Sequence, residues 1–146
     1  MPIEIRSATP AALADLTALL VAQLRDHGND LAGSAMAGAA AGMLQRPRHG
    51  QFRLAGEGGR AVGFAALSYL WTLARGGRAA WLNELFVVPE RRGAGIGDAL
   101  LAAALTAAAA AGARAVDTAS AATLGGGCAC GAVRSVSAAA PFSAPG

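Results

Sequence analysis

Residues 92–97, Arg92-Gly93-Ala94-Gly95-Ile96-Gly97, set three glycines at alternate positions in a short loop. Glycine takes φ > 0 easily and has no Cβ, so such a loop can bring its backbone close to a ligand. Several of its N–H groups can point the same way, and the first turn of a following helix adds partial positive charge. The chemistry on offer is the binding of an anion, a phosphate above all. The flanking residues supply the required frame. Before the loop, Trp81-Leu82-Asn83-Glu84-Leu85-Phe86-Val87-Val88 is a β-branched and aromatic run of strand length, stopped by Pro89. After it, Asp98-Ala99-Leu100-Leu101 opens an alanine-rich segment that closes at Gly112. The order is strand, glycine loop, helix.

Two familiar phosphate loops do not fit. A P-loop needs Lys-Ser/Thr after its last glycine, whereas Gly97 is followed by Asp98-Ala99. The dinucleotide fingerprint wants another glycine spacing inside an N-terminal βαβ unit. Residues 92–97 do resemble the (Gln/Arg)-x-x-Gly-x-(Gly/Ala) loop of the Gcn5-related N-acetyltransferase (GNAT) family, and the Leu-Phe-Val-Val-Pro before it and the Asp-Ala-Leu-Leu after it are similar to that family as well. The resemblance implies an α/β (α+β) fold with a mixed, mostly antiparallel sheet and helices on both faces. It also implies acetyl-CoA as cosubstrate. The main chain of Phe86, Val87 and Val88 would pair with the pantetheine arm, and the amides of Arg92, Gly93, Ala94, Gly95, Ile96 and Gly97 would hold the pyrophosphate. Arg91 and Arg92 would reach phosphates by charge, and Asp98 would stand in the first helical turn, where an acid suits the helix dipole whatever its role.

Acetyl transfer to an amine needs a group that accepts a proton from an ammonium ion. Glu84, in an otherwise apolar strand two residues before the cofactor-pairing segment, is the candidate catalytic base; its plainer reading is a carboxylate at a sheet surface paired to an arginine. Strand alternation puts Asn83 on the opposite side from Glu84. Trp81-Leu82-Asn83-Glu84-Leu85-Phe86-Val87 is similar to the diamine acetyltransferase branch, with asparagine where that branch has its first acid. Tyr69 and Trp71 are candidates for shaping the acceptor pocket, and Tyr69 is the only phenol in the chain. The function implied is transfer of acetyl to a primary amine of a small molecule or peptide, by direct attack in a ternary complex, since no cysteine lies near the loop to form an acyl-enzyme. The alternative is a catalytically impaired acyl-CoA-binding module.

The elements that must position these residues follow from periodicity. Ile3-Glu4-Ile5-Arg6 alternates as a half-buried strand does. Thr9-Pro10 opens a helix from about Ala11 to Arg25, with Leu13, Leu16, Leu20 and Leu24 on one face, ended by His27-Gly28-Asn29-Asp30. A second helix spans Leu31 to Leu44, weakened by three glycines. Gln51 to Ala55 and Ala61 to Tyr69 are strands joined by Gly56-Glu57-Gly58-Gly59, and Trp71 to Arg78 links the second of them to the Trp81 strand. The helix from about Gly95 to Ala111 leads to a short strand at Ala115 to Thr118, parallel to the Trp81 strand through a right-handed crossover.

Composition narrows the function. At 146 residues the chain is the size of one domain, and its net charge of +3 comes from scattered arginines, with no lysine, so nothing supports nucleic-acid binding. There is no membrane-length apolar run and no basic start of a signal peptide, which makes the cytoplasm the default compartment. Cys128 and Cys130 are too few for a structural zinc site and too close for a usual disulfide, so no metal is expected. Residues 1–118 carry the acetyltransferase-like pattern. Residues 119–146 hold one charged group, Arg134, and lack the Asn-x-x-Ala-x-x-x-Tyr helix and Gly-Phe strand usual in the family. Two readings stay open for this tail, a divergent end or a frameshift near residue 119, and its composition predicts weak order. Dimers are common in the family, and an incomplete sheet edge near the C-terminus would invite one.

Overall fold

The computed structural model describes residues 2–26, 33–73 and 76–118. Its elements are β1 (Ile3–Ser7), a 3-10 turn (Pro10–Ala12), α1 (Leu13–Asp26), α2 (Gly33–Leu44), β2 (Gly50–Glu57), β3 (Arg60–Thr72), β4 (Gly77–Val87), a second 3-10 turn (Pro89–Arg91), α3 (Ile96–Ala110) and β5 (Val116–Thr118). The strands form one sheet in the order β1-β2-β3-β4-β5, antiparallel except for the β4–β5 pair. This is the mixed, mostly antiparallel sheet with helices on both faces that the family resemblance implies.

Local chemistry accounts for most boundaries. Pro10 opens a 3-10 turn in which the Ala12 N–H donates to Thr9 O at 2.8 Å, so α1 begins at Leu13 rather than Ala11. The Thr9 side chain makes no capping bond. The β2–β3 hairpin turns on Gly58-Gly59, both at positive φ (59° and 81°), between the paired Glu57 and Arg60. Gly112 at φ 81° ends α3 as predicted. The Trp71–Arg78 link is a correction: Trp71 and Thr72 extend β3 and pair with Arg78 and Gly77 of β4. Cross-strand pairing there overrides a glycine- and arginine-rich composition that reads locally as loop.

Each face of the sheet has its own helices. A Cβ added at Gly63 of β3 would lie 3.1 Å from Leu100 Cδ1 of α3, so by alternation the odd-numbered residues of β3 face α3. The even-numbered face belongs to α1 and α2. Gly50, opposite Ser68, abuts Met43 of α2, and Glu84, opposite Ala66, meets Gln23 of α1. Phe64 packs on Phe52 and Phe86 on this side, with ring centroids 6.3 and 6.1 Å away. Leu67, Leu82, Leu85 and Leu100 are buried on the other side.

No helix among the described residues is long and apolar enough to cross a membrane. The stop signal His27-Gly28-Asn29-Asp30, the start of the second helix at Leu31, and the tail from residue 119 with Cys128 and Cys130 lie outside the described residues.

Candidate active site

The loop between β4 and α3 has the geometry that its glycines favour. Gly93 and Gly95 stand at φ 83° and 81°, the left-handed region, and Gly95 is the N-cap of α3. A Cβ at either would meet nothing within 4 Å. Glycine is needed here for its backbone freedom and not for space. The first intrahelical bond runs from the Ala99 N–H to Gly95 O at 3.1 Å. Among the described residues, the amides of Gly93, Ala94, Gly95, Ile96 and Gly97 donate to no backbone carbonyl. These N–H groups lie at or just before a helix N-terminus, beyond the reach of an intrahelical carbonyl, in the arrangement that suits an anion. Asp98 sits exposed in the first turn.

Three consecutive side chains tie this loop to three different elements. Glu90 meets Arg60 of β3 at 3.3 Å, an exposed contact. Arg91 meets Glu57 of β2 twice, by a hydrogen bond from Nη2 to Oε1 at 3.0 Å and an ionic approach of Nε to Oε2 at 2.7 Å. Arg92 donates from Nε to Val87 O at 2.9 Å, pairs through Nη2 with Asp26 of α1 at 2.8 Å, and sets its guanidinium 5.6 Å from the Phe86 ring centroid. Both arginines are thus engaged with protein carboxylates, which leaves the amides as the principal anion donors.

The neighbouring strand presents its edge in alternation. The Val88 N–H donates to Val62 O, and Val88 O accepts from the Arg91 N–H. Phe86, opposite Phe64, likewise turns its backbone groups to β3. Leu85 and Val87 turn theirs away from β3, toward the side where β5 pairs with Ala80 to Leu82. Of the three residues proposed for cofactor pairing, Val87 alone faces that edge, where its carbonyl already accepts from Arg92 Nε, and Leu85 joins it. Residue types alone cannot reveal this parity, which is set by the partner strand.

A β-bulge lies beside that edge. Ala66 pairs with Glu84 and Leu67 with Leu82, so Asn83 is the extra residue on β4. The bulge overturns the expected opposition of Asn83 and Glu84. Asn83 Nδ2 donates to Ser68 Oγ, on the α1 side of β3, while Gln23 Nε2 of α1 donates to Glu84 Oε2 at 2.5 Å. Both polar side chains therefore act on one face of the sheet. Trp81, opposite Ser68, is on the same face and partly exposed.

Tyr69 and Trp71 belong to the other face by parity with Gly63. The Tyr69 hydroxyl is buried without a hydrogen-bond partner, and Arg78 lies 5.5 Å from its ring centroid. Burial pushes its phenol above the ordinary 10.0, while Arg53 and Arg78 pull partly the other way. Tyr69 and Glu84 are thus separated by the thickness of the sheet. Among the described residues no group of three or more His, Cys, Asp or Glu is placed to hold a metal ion. Gln23 escaped sequence analysis, although its spacing from Leu16, Leu19 and Leu20 marks it as a polar residue at a core position.

A glycine loop at a helix N-terminus, an adjoining strand edge and a carboxylate on the α1 face lie along β4 and the turn that follows it. Known proteins share the frame. An integron cassette protein from the mobile metagenome of Cole Harbour Salt Marsh superposes with a TM-score of 0.76 and 27% identity, over 78% of this chain and 75% of that one. A predicted acetyltransferase from Clostridium acetobutylicum, solved with acetyl-CoA, shares the fold at a TM-score of 0.71 and 18% identity, over 81% and 80%. So does a ribosomal-protein-alanine N-acetyltransferase from Brucella melitensis biovar Abortus 2308, at 0.66 and 20%, over 81% and 79%. No curated protein matches the chain at a significant level. The model of the acetyltransferase (GNAT) family matches residues 14–124, three quarters of the sequence. The chain belongs to that family.

Proposed function

We propose that the protein transfers an acetyl group from acetyl-CoA to the primary amine of a small molecule, within a ternary complex. The amides at the start of α3, which among the described residues donate to no backbone carbonyl, suit a pyrophosphate, and the edge at Leu85 and the Val87 N–H suits the amide-bearing pantetheine arm. That pairing would run the thioester along β4 toward Glu84.

The reaction then needs one proton acceptor. Glu84 takes a proton from the ammonium form of the substrate, and the neutral nitrogen attacks the thioester carbonyl. The C–S bond breaks with its electron pair going to sulfur, and the proton the new amide nitrogen sheds goes to the thiolate. The products are an acetamide, coenzyme A thiol and protonated Glu84.

The bulge at Asn83 carries the choice of acceptor. It brings positions 83 and 84 to one face, so asparagine at 83 removes a carboxylate from the side the amine would occupy. Asp26, the nearby acid of α1, is paired with Arg92. A polyamine's several cations want more than one acid, so a monoamine fits better than a diamine, with the half-exposed Trp81 against its apolar part.

The test is thiol release from acetyl-CoA with ethanolamine, 2-phenylethylamine, putrescine, spermidine and an alanyl dipeptide. Turnover favouring a monoamine is expected, with Glu84→Gln lowering kcat by about 10²-fold or more, the usual scale of general-base catalysis. Saturable coenzyme binding with no thiol release on any amine would instead mark an acyl-CoA-binding module.

A further inference from the structure

We propose that Gln23 is a positioning residue that orients the Glu84 carboxylate for proton transfer, an inference resting on the general-base reading of Glu84. The buried positions of α1 are Leu16, Leu19 and Leu20, and residue 23 continues that face at three- and four-residue spacing. A fourth leucine would suit the place. Gln23 instead stands there 3% exposed, the only buried polar residue among the described ones. An amide in such a position needs a partner, because burial removes its bonds to water.

The partner is Glu84, through the 2.5 Å contact from Nε2 to Oε2. A carboxylate oxygen accepts and does not donate, which settles that the NH2 end of the amide faces it. Glu84 also needs outside support for a local reason. It follows the bulge residue, where the regular pleat that usually aims a strand side chain is interrupted. A directed, charge-assisted bond from a rigid helix adds a constraint there. The next turn of α1 carries Asp26, bonded to Arg92 of the glycine loop. One helix end thus indexes the carboxylate to the same loop that would hold the coenzyme, and small shifts in such alignment are costly to catalysis.

Gln23→Met keeps side-chain length and removes the donor. With the best amine of the panel, kcat should fall at least tenfold, while KM for acetyl-CoA stays within twofold and Tm within a few degrees. Gln23→Leu, which suits the apolar face of α1, serves if Gln23→Met folds poorly, and the exchanged pair Gln23→Glu with Glu84→Gln keeps an amide and a carboxylate in the same contact. A folded, coenzyme-binding protein with little turnover is expected of the exchanged pair, and wild-type turnover there would show that neither end of the contact acts on the amine, which overturns the base and the positioning roles together. If Glu84→Gln alone keeps kcat, the base reading fails. If Glu84→Gln is inactive while Gln23→Met keeps kcat within twofold, the positioning role fails alone. Absence of thiol release by the wild-type protein with every amine overturns both.

Discussion

Two glycines face open space and should respond to the same substitution with opposite sign. A Cβ added at Gly38, in α2, or at Gly95, at the start of α3, meets no atom within 4 Å, but only Gly95 has a positive φ (81°). Alanine at Gly38 reduces the freedom of the unfolded chain and gains helix propensity, worth roughly 0.5–1 kcal/mol. Alanine at Gly95 must either hold a left-handed conformation, at about 1–2 kcal/mol, or let the loop relax to negative φ. For a chain of this size roughly 3–5 °C of Tm accompanies each kcal/mol. Gly38→Ala should therefore melt about 2–5 °C higher than wild type and Gly95→Ala about 3–10 °C lower. Coenzyme A separates the two further. At 100 times its Kd a ligand stabilises the native state by about 2.7 kcal/mol, and that upward shift should survive in Gly38→Ala and shrink in Gly95→Ala, whose amides no longer converge. Differential scanning fluorimetry with and without coenzyme A reads both effects. A Gly95→Ala protein with the wild-type Tm and the full coenzyme shift would refute the claim that the left-handed turn builds the nest.

Two further outcomes bear on the surroundings of the site. Asp26→Asn loosens the Arg92 contact that holds the loop to α1; the pair is partly exposed, so Tm should change by only about 1 kcal/mol equivalent or less, whereas the Kd for coenzyme A, measured by calorimetry, should rise several-fold, and an unchanged Kd would show that the loop holds its shape without this tie. The raised Tyr69 phenol gives a pH dependence: the folded state binds its proton more tightly than the unfolded, so the associated stability is whole below pH 10.0 and is lost as pH rises through the higher folded value. Tyr69→Phe should flatten the alkaline fall in Tm, and identical alkaline slopes in the two proteins would contradict the assignment.

Sequence alone determined what depends on a few consecutive residues. The alternate glycines of 92–97 dictate a turn that only glycine takes easily, leucine spacing dictates α1, and Gly58-Gly59 dictates a hairpin, because steric limits on φ and side-chain periodicity act within one or two turns of chain. Tertiary structure decided what depends on register and on distant partners. Asn83 shares a face with Glu84 because β3 pairs two residues against three of β4, and pleat alternation read from β4 by itself implies the reverse. Val88 turns its N–H inward because Val62 lies beside it. Gln23 and Glu84 are 61 residues apart and meet only when α1 packs on the sheet. Their contact is a property of the assembled core, since no local preference of either residue encodes where the other will lie.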